Sequence, residues 1–288
     1  MEDPYGLSGK LLERRYRVDA PLAEGGFAIV YRGHHLSLDV PVALKVLRPI
    51  ADPSAAADLV ARFMDEAKTV ARLRHPNIVG ILDTGVLARA EGPLPWMALE
   101  WLDGETLHAH LESRRGAPLS LAETMRVVLP LLDALALAHE RGIAHRDVKP
   151  RNVMLSRGTA QLLDFGIAKL LRGDEVAGSG TTRTHGGSTS LSLGYASPEQ
   201  VAGARSGPWT DVHAMGLVLT EMLTGRPPYG SEAHDIWAKA VDPVRPTPAR
   251  AGVDVGPLEP IIARALSLRP KDRWPSAREL ALAIAPFA

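Results

Sequence analysis

The chain has 288 residues, 45% apolar and 23% charged, with 33 basic residues against 33 acidic ones. A length of this order holds one large domain or two small lobes, each with its own core. A formal net charge of +0 argues against a dedicated binder of nucleic acid or anionic membrane, which carries a basic excess or stripe. With no cysteine in the sequence, disulfides, thiolate catalysis and Cys-bearing zinc sites are excluded.

The start, Met1-Glu2-Asp3-Pro4-Tyr5, is acidic and lacks the basic and apolar regions of a secretion signal. Tyr16 to Val30 reads as two strands joined by a flexible turn at Gly25-Gly26. Val42 to Leu47 is a third strand, whose period of two puts Ala43 and Lys45 on one face and Val42, Leu44 and Val46 on the other. After Pro53-Ser54, apolar residues at helical spacing (Leu59, Phe63, Ala67, Val70) predict a helix from Ala55 to Leu73. Asn77 to Val86 and Leu94 to Trp101 read as two further strands.

Past Asp103-Gly104 the pattern turns helical. Ser120 with Glu123 forms a capping box that opens a long apolar helix to about Glu140. The longest apolar run, Val127 to Ala138, is broken by Pro130 and Asp133 and is too short to cross a bilayer. Gln161 to Leu163 is a short strand, and Gly173 to Ser192, rich in Gly, Ser and Thr, is a mobile loop. Asp211 to Leu223 is apolar nearly all round, as a buried helix is, and Ser276 with Glu279 opens the last helix. The close histidines His34-His35 and His108-Ala109-His110 have carboxylates nearby (Asp39, Glu105, Glu112) and read as solvated surface groups rather than metal ligands.

The chemistry concentrates in His145-Arg146-Asp147-Val148-Lys149-Pro150-Arg151-Asn152, followed after an apolar run by Asp164-Phe165-Gly166. Asp147 is a candidate proton acceptor for a hydroxyl, and Lys149 a candidate phosphate holder. Asn152 and Asp164 are oxygen ligands of the kind Mg²⁺ prefers. The stretch resembles the catalytic loop and metal-binding turn of eukaryotic-type (Hanks-type) serine/threonine protein kinases found in bacteria. Frequent Ala, Arg, Gly and Pro suggest a GC-rich bacterial genome.

The resemblance runs from about residue 16 to the C-terminus and implies an α+β, two-lobed protein-kinase fold. Residues 1–15 are then an N-terminal extension, 16–102 a strand-rich lobe with one helix, and 103–288 a mostly helical lobe. It also implies transfer of the γ-phosphoryl group of Mg-ATP to Ser or Thr hydroxyls of a protein, with Asp147 orienting the hydroxyl and Lys149 steadying the phosphate. Lys45 matches the strand lysine that holds the α- and β-phosphates, and Glu66 lies where the family keeps its partner. Leu22, Gly25, Gly26, Val30, Ala43 and Met154 would enclose the nucleotide, with Glu100 and Leu102 as hinge. Matched to the family's glycine-rich loop, the first and third glycines are Ala23 and Ala28, which implies looser ATP binding.

The family likeness extends to Ser192-Leu193-Gly194-Tyr195-Ala196-Ser197-Pro198-Glu199, an activation-segment ending in which Ser192 would bridge Asp147 and Lys149. Arg273 is placed to pair with Glu199, Asp211 to hold the catalytic-loop backbone, and His145, Phe165, Val70 and Ile81 to build an internal apolar column. Arg146 would capture phosphate on the activation segment, with Thr181, Thr182, Thr184, Ser188, Thr189 and Ser190 as candidate sites. A pseudokinase, a binding or scaffolding module without turnover, is the alternative, favoured by the two lost glycines and opposed by intact Lys45, Glu66, Asp147, Asn152 and Asp164. A cytoplasmic enzyme that forms a homodimer to phosphorylate itself is expected, with no membrane partner within this chain. The sequence ends straight after its last predicted helix, leaving room for a sensor, repeat or membrane domain in the parent gene product.

Overall fold

The structure, a computed structural model, describes residues 2–26, 28–49, 53–165, 194–230 and 233–288, and the side chains of 53–55 and 233–235 are left aside. Phe27, Gly166, Ser192, the loop expected over 173–192 and its candidate hydroxyls lie outside the described residues. The chain forms two compact units. One holds the described residues up to Arg74 together with Val79–Leu102; the other holds His75–Ile78 and the described residues from Asp103 onward.

The first unit is built on an antiparallel sheet ordered β1-β2-β3-β4-β6-β5. Its strands are β1 (Leu11–Leu12), β2 (Tyr16–Glu24), β3 (Ala28–His35), β4 (Val40–Leu47), β5 (Ile81–Leu87) and β6 (Leu94–Glu100). Alternation sorts the side chains. Val42, Leu44 and Val46 join Ile29, Tyr31, Leu94 and Trp96 in one apolar core, while Ala43 and Lys45 take the other face. Helix α1 (Pro53–Ala71) packs on β5 and β6, burying Leu59, Phe63, Ala67 and Val70 at spacings of three and four. The N-terminal residues also belong to this sheet, because Leu7 and Leu12 are buried in its core and β1 pairs with β2.

The strand expected over 77–86 begins instead at Ile81. Asn77 is held by the second unit, where its amide donates to Ala160 O at 2.8 Å and its carbonyl accepts from Leu162 N at 2.8 Å. That demand overrides the local strand propensity.

The second unit carries a small sheet ordered β7-β8-β9, from Gly104–Thr106, Val153–Ser156 and Thr159–Leu162. Its described helices are α2 (Leu107–Ser113), α3 (Leu121–Glu140), α4 (Pro198–Val201), α5 (Pro208–Thr224), α6 (Ala233–Val241), α7 (Leu258–Ala265) and α8 (Ala277–Ile284). At the start of α3 both halves of the capping box form, Glu123 N to Ser120 Oγ at 3.3 Å and Ser120 N to Glu123 Oε2 at 2.7 Å. The helix runs through Pro130; the backbone bond lost there is offset by burial of Val128, Leu131, Leu132 and Leu135. Helix α5 is buried all round because α3, α7 and α8 pack against it. Among the described residues, no helix is long and apolar enough to cross a membrane.

Candidate active site

The catalytic loop leaves α3 after Arg141 and is fixed from below by Asp211 in the first turn of α5. This fully buried carboxylate accepts from His145 N and Arg146 N, both at 2.7 Å, and from His139 Nε2 at 2.9 Å. Arg146 sits at φ 65°, in the left-handed region that non-glycine residues avoid at a cost of about 1–2 kcal/mol. Its amide bond to Asp211 and its carbonyl bond from Gln200 Nε2, 2.8 Å, hold it there. Asp211 was legible in the sequence. His139 was not; its only signal is a histidine in the last turn of an apolar helix.

With the backbone fixed, the functional side chains meet. The Asp147 Oδ2 atom accepts from Lys149 Nζ at 2.8 Å and from Asn152 Nδ2 at 2.9 Å, and Asn152 Nδ2 also reaches the Asp147 carbonyl at 2.8 Å. Both side-chain bonds fall on one carboxylate oxygen, so Oδ1 is without a hydrogen-bond partner among the described residues. The Asn152 amide is oriented by these two bonds from its nitrogen.

The same loop carries the Asp-Phe turn. Leu163 N donates to Asn152 O at 2.9 Å, and Leu163 O accepts from His145 Nε2 at 2.7 Å. With its Nε2 proton so used, the His145 ring takes the Asp147 amide on Nδ1 at 3.3 Å. The ring also packs on Phe165, centroids 4.6 Å apart. Asp164 follows directly, half-buried, at φ 62°.

Asn152 and Asp164 offer an amide oxygen and a carboxylate, hard oxygen donors that suit Mg²⁺. Among the described residues no group of three or more His, Asp or Glu could hold a metal alone.

In the first unit, Lys45 is buried on β4, in register with Val30 of β3 and Met97 of β6, and Glu66 is half-buried on α1. Val30 and Ala43 are half-buried on the Lys45 face of the sheet. Leu22 is exposed near the end of β2, and Gly25 and Gly26 are exposed on the turn to β3, where Gly25 N closes onto Ala28 O at 2.8 Å. At the end of β6, Glu100 exchanges bonds with Gly80, its N–H donating to Gly80 O at 3.0 Å and its carboxylate accepting from Gly80 N at 2.9 Å. Leu102 is half-buried just beyond, and Met154 lies in β8 of the second unit, opposite Gln161. Of the apolar column, Val70 and Ile81 belong to the first unit and the packed pair His145 and Phe165 to the second.

The activation-segment ending is anchored through Glu199. The Arg273 guanidinium grips it with a fork, Nη1 to Oε1 at 2.8 Å and Nη2 to Oε2 at 2.9 Å, and Thr210 Oγ1 adds a bond at 2.8 Å. The other Arg273 donors go to the carbonyls of Ser267, Trp209 and Leu268, so all five are used. Burial pushes the Glu199 carboxyl up, but the hydrogen bonds and charge of Arg273 outweigh it and hold it below its ordinary value. Tyr195 of the same segment donates to the buried Glu221 of α5, a contact that sequence reasoning missed because the partners lie on separate elements.

A strand-rich unit bearing a buried lysine, and a helical unit whose loop clusters Asp147, Lys149 and Asn152, define a catalytic domain of the phosphotransferring kind. The family model for the protein kinase domain matches residues 16–280, and the chain belongs to the protein kinase family. It is similar to the serine/threonine-protein kinase pkn3 of Myxococcus xanthus, 37% identical over 93% of this chain and 49% of that one. It is similar also to the serine/threonine-protein kinase PknB of Mycolicibacterium smegmatis, 36% identical over 93% of this chain and 42% of that one. The chain thus spans about half or less of the length of these curated relatives. Among solved structures, the kinase domain of Mycobacterium tuberculosis PknI matches with a TM-score of 0.72 and 30% identity, over 98% of this chain and 99% of that one.

Proposed function

We propose that the chain is the catalytic domain of a serine/threonine protein kinase, which transfers the γ-phosphoryl group of Mg-ATP to Ser or Thr hydroxyls of proteins, its own activation segment included. The observation that carries this reading is the bonding around Asp147. Lys149 and Asn152 occupy Oδ2, which leaves Oδ1 to accept the hydrogen bond of an incoming hydroxyl. Phosphoryl transfer rests on positioning and charge stabilisation, and a carboxylate held by two partners is a positioned one.

Lys149, beside the accepting oxygen, steadies the γ-phosphate. Lys45, paired with Glu66, holds the other phosphates. Gly25 and Gly26 cover them, Leu22, Val30, Ala43 and Met154 enclose the adenine, and the backbone of Glu100 and Leu102 reads its edge. Asn152 and Asp164 are the Mg²⁺ ligands, and the ion when bound neutralises phosphate charge and orients the phosphates for in-line transfer. The enzyme acts in the cytoplasm and phosphorylates itself as a homodimer. A pseudokinase would dispense with at least one of these groups, and Lys45, Glu66, Asp147, Asn152 and Asp164 are all present.

The test is incubation with labelled ATP, Mg²⁺ and a generic basic protein. Asp147→Asn keeps the shape and removes the acceptor charge, and should lower incorporation by roughly 10²–10⁴-fold. Equal incorporation by wild type and variant overturns the assignment.

A further inference from the structure

The turn between β2 and β3 is held by more than its own backbone. Arg48, the residue after β4, donates from Nε and Nη2 to the Gly25 carbonyl at 3.3 and 3.2 Å, and from Nη2 to Glu24 Oε1 at 2.5 Å. The Tyr5 hydroxyl lies near the same guanidinium: burial raises its pKa, and the charge and hydrogen-bonding influence of Arg48 draw it down. Tyr5 is fixed in turn. Its carbonyl accepts from Arg89 Nη1 at 2.6 Å, and its N–H donates to the Asp3 carboxylate at 3.3 Å. That carboxylate also accepts from Ser8 N at 2.7 Å and from the Tyr31 hydroxyl at 2.9 Å, while Leu7, 1% exposed, is sunk in the sheet core.

We propose that Arg48 is a positioning residue for the nucleotide-covering turn and that the N-terminal segment around Tyr5 is the strap that supports it. The inference rests on the kinase reading for what the turn covers. A planar trans peptide points its C=O and N–H to opposite sides. Drawing Gly25 O onto Arg48 therefore turns the Gly26 N–H the other way, where a phosphate oxygen can accept it. Glu24 neutralises the guanidinium, so Arg48 acts on the backbone and not as a phosphate ligand. The strap answers a problem set by the sequence. Ala23 and Ala28 stand at two of the family's three glycine positions, so only the Gly25-Gly26 tip retains the backbone freedom to approach phosphates, and that freedom must be restrained for the tip to present a donor.

The experiment compares wild type, Tyr5→Phe, Arg48→Ala, Arg48→Lys and the Tyr5→Phe/Arg48→Ala double variant. Steady-state phosphotransfer and direct binding of a fluorescent ATP analogue are measured, with thermal midpoints as folding control. Tyr5→Phe removes one oxygen and leaves the ring packed, so it tests the relay in a folded protein. Tyr5→Phe and Arg48→Ala should each raise the KM for ATP about three- to tenfold, with the change in KM and not in kcat. Arg48→Lys should fall between wild type and Arg48→Ala, and the double variant should be no worse than Arg48→Ala alone, because both act through one contact. An unchanged KM and nucleotide affinity in the single variants, or fully additive effects in the double, overturns the strap. A wild type that binds the analogue but transfers no phosphate overturns the kinase reading instead, and the binding series still decides the role of Arg48.

Discussion

At the scale of single residues, Arg273 stands out as a buried charge with every donor partnered. Arg273 serves five acceptors from a site with its side chain fully buried. Arg273→Ala would strand the Glu199 charge, and should cost about 3–5 kcal/mol, read by denaturant unfolding. Among the described residues, Glu199 and His213 contribute to the acid sensitivity of the fold. Glu199 titrates below its ordinary 4.5 when folded, so its contribution is present above that pH and lost as pH falls through the folded value. His213 is buried next to the guanidinium of Arg245, whose Nη2 lies 2.8 Å from its Nε2, and that of Arg273 is also close. Burial first, then these cations, hold His213 neutral well below its ordinary 6.5. The unfolded chain therefore binds an extra proton below that pH, and stability declines as pH falls from about 6.5. Thermal midpoints at pH 7.5 and 5.5 should differ less for His213→Gln than for wild type; an equal difference removes His213 from the account.

At the scale of elements, the ends of α5 matter more than its middle. Its N-terminal turn supplies Asp211 to the catalytic loop, and its C-terminus stops at Gly225, φ 68°, with the Gly225 N–H bonded to Glu221 O at 2.7 Å. A Cβ there would meet Gly116 O at 2.1 Å as well as the conformational penalty. Gly225→Ala should lower stability by well over the roughly 1 kcal/mol of left-handed strain alone, measurable as a drop in the thermal midpoint; a neutral effect would show that the α2–α3 connection yields easily. Much of this level was legible in the sequence. The α3 cap, the α5 run and the alternation in β4 follow from local rules, and the clustering of Asp147, Lys149 and Asn152 was readable because they lie within six positions. What escaped, such as Arg48 on Gly25, His139 on Asp211 and Tyr195 on Glu221, joins residues that no local pattern relates. Strand β1 escaped too, being two residues long.

At the scale of the molecule, composition sets colloidal behaviour. Basic and acidic groups cancel, with an isoelectric point near 7.2. Solubility should therefore pass through a minimum close to that pH and rise on either side, as measured by precipitation titration at low salt; a flat profile would show that the charges are segregated into patches instead. The sequence changes character near Asp103, but nothing in it marks His75–Ile78 as part of the helical unit, since that depends on one asparagine finding a distant carbonyl.

Leu163 bears on ligand discovery. Both its peptide groups are tied to the loop that carries Asp147, so an inhibitor that prises Phe165 off His145 has its pivot at Asp164, one residue downstream. Such a compound works against the packing of Phe165 on His145, and Asp147 stays in place while it is bound.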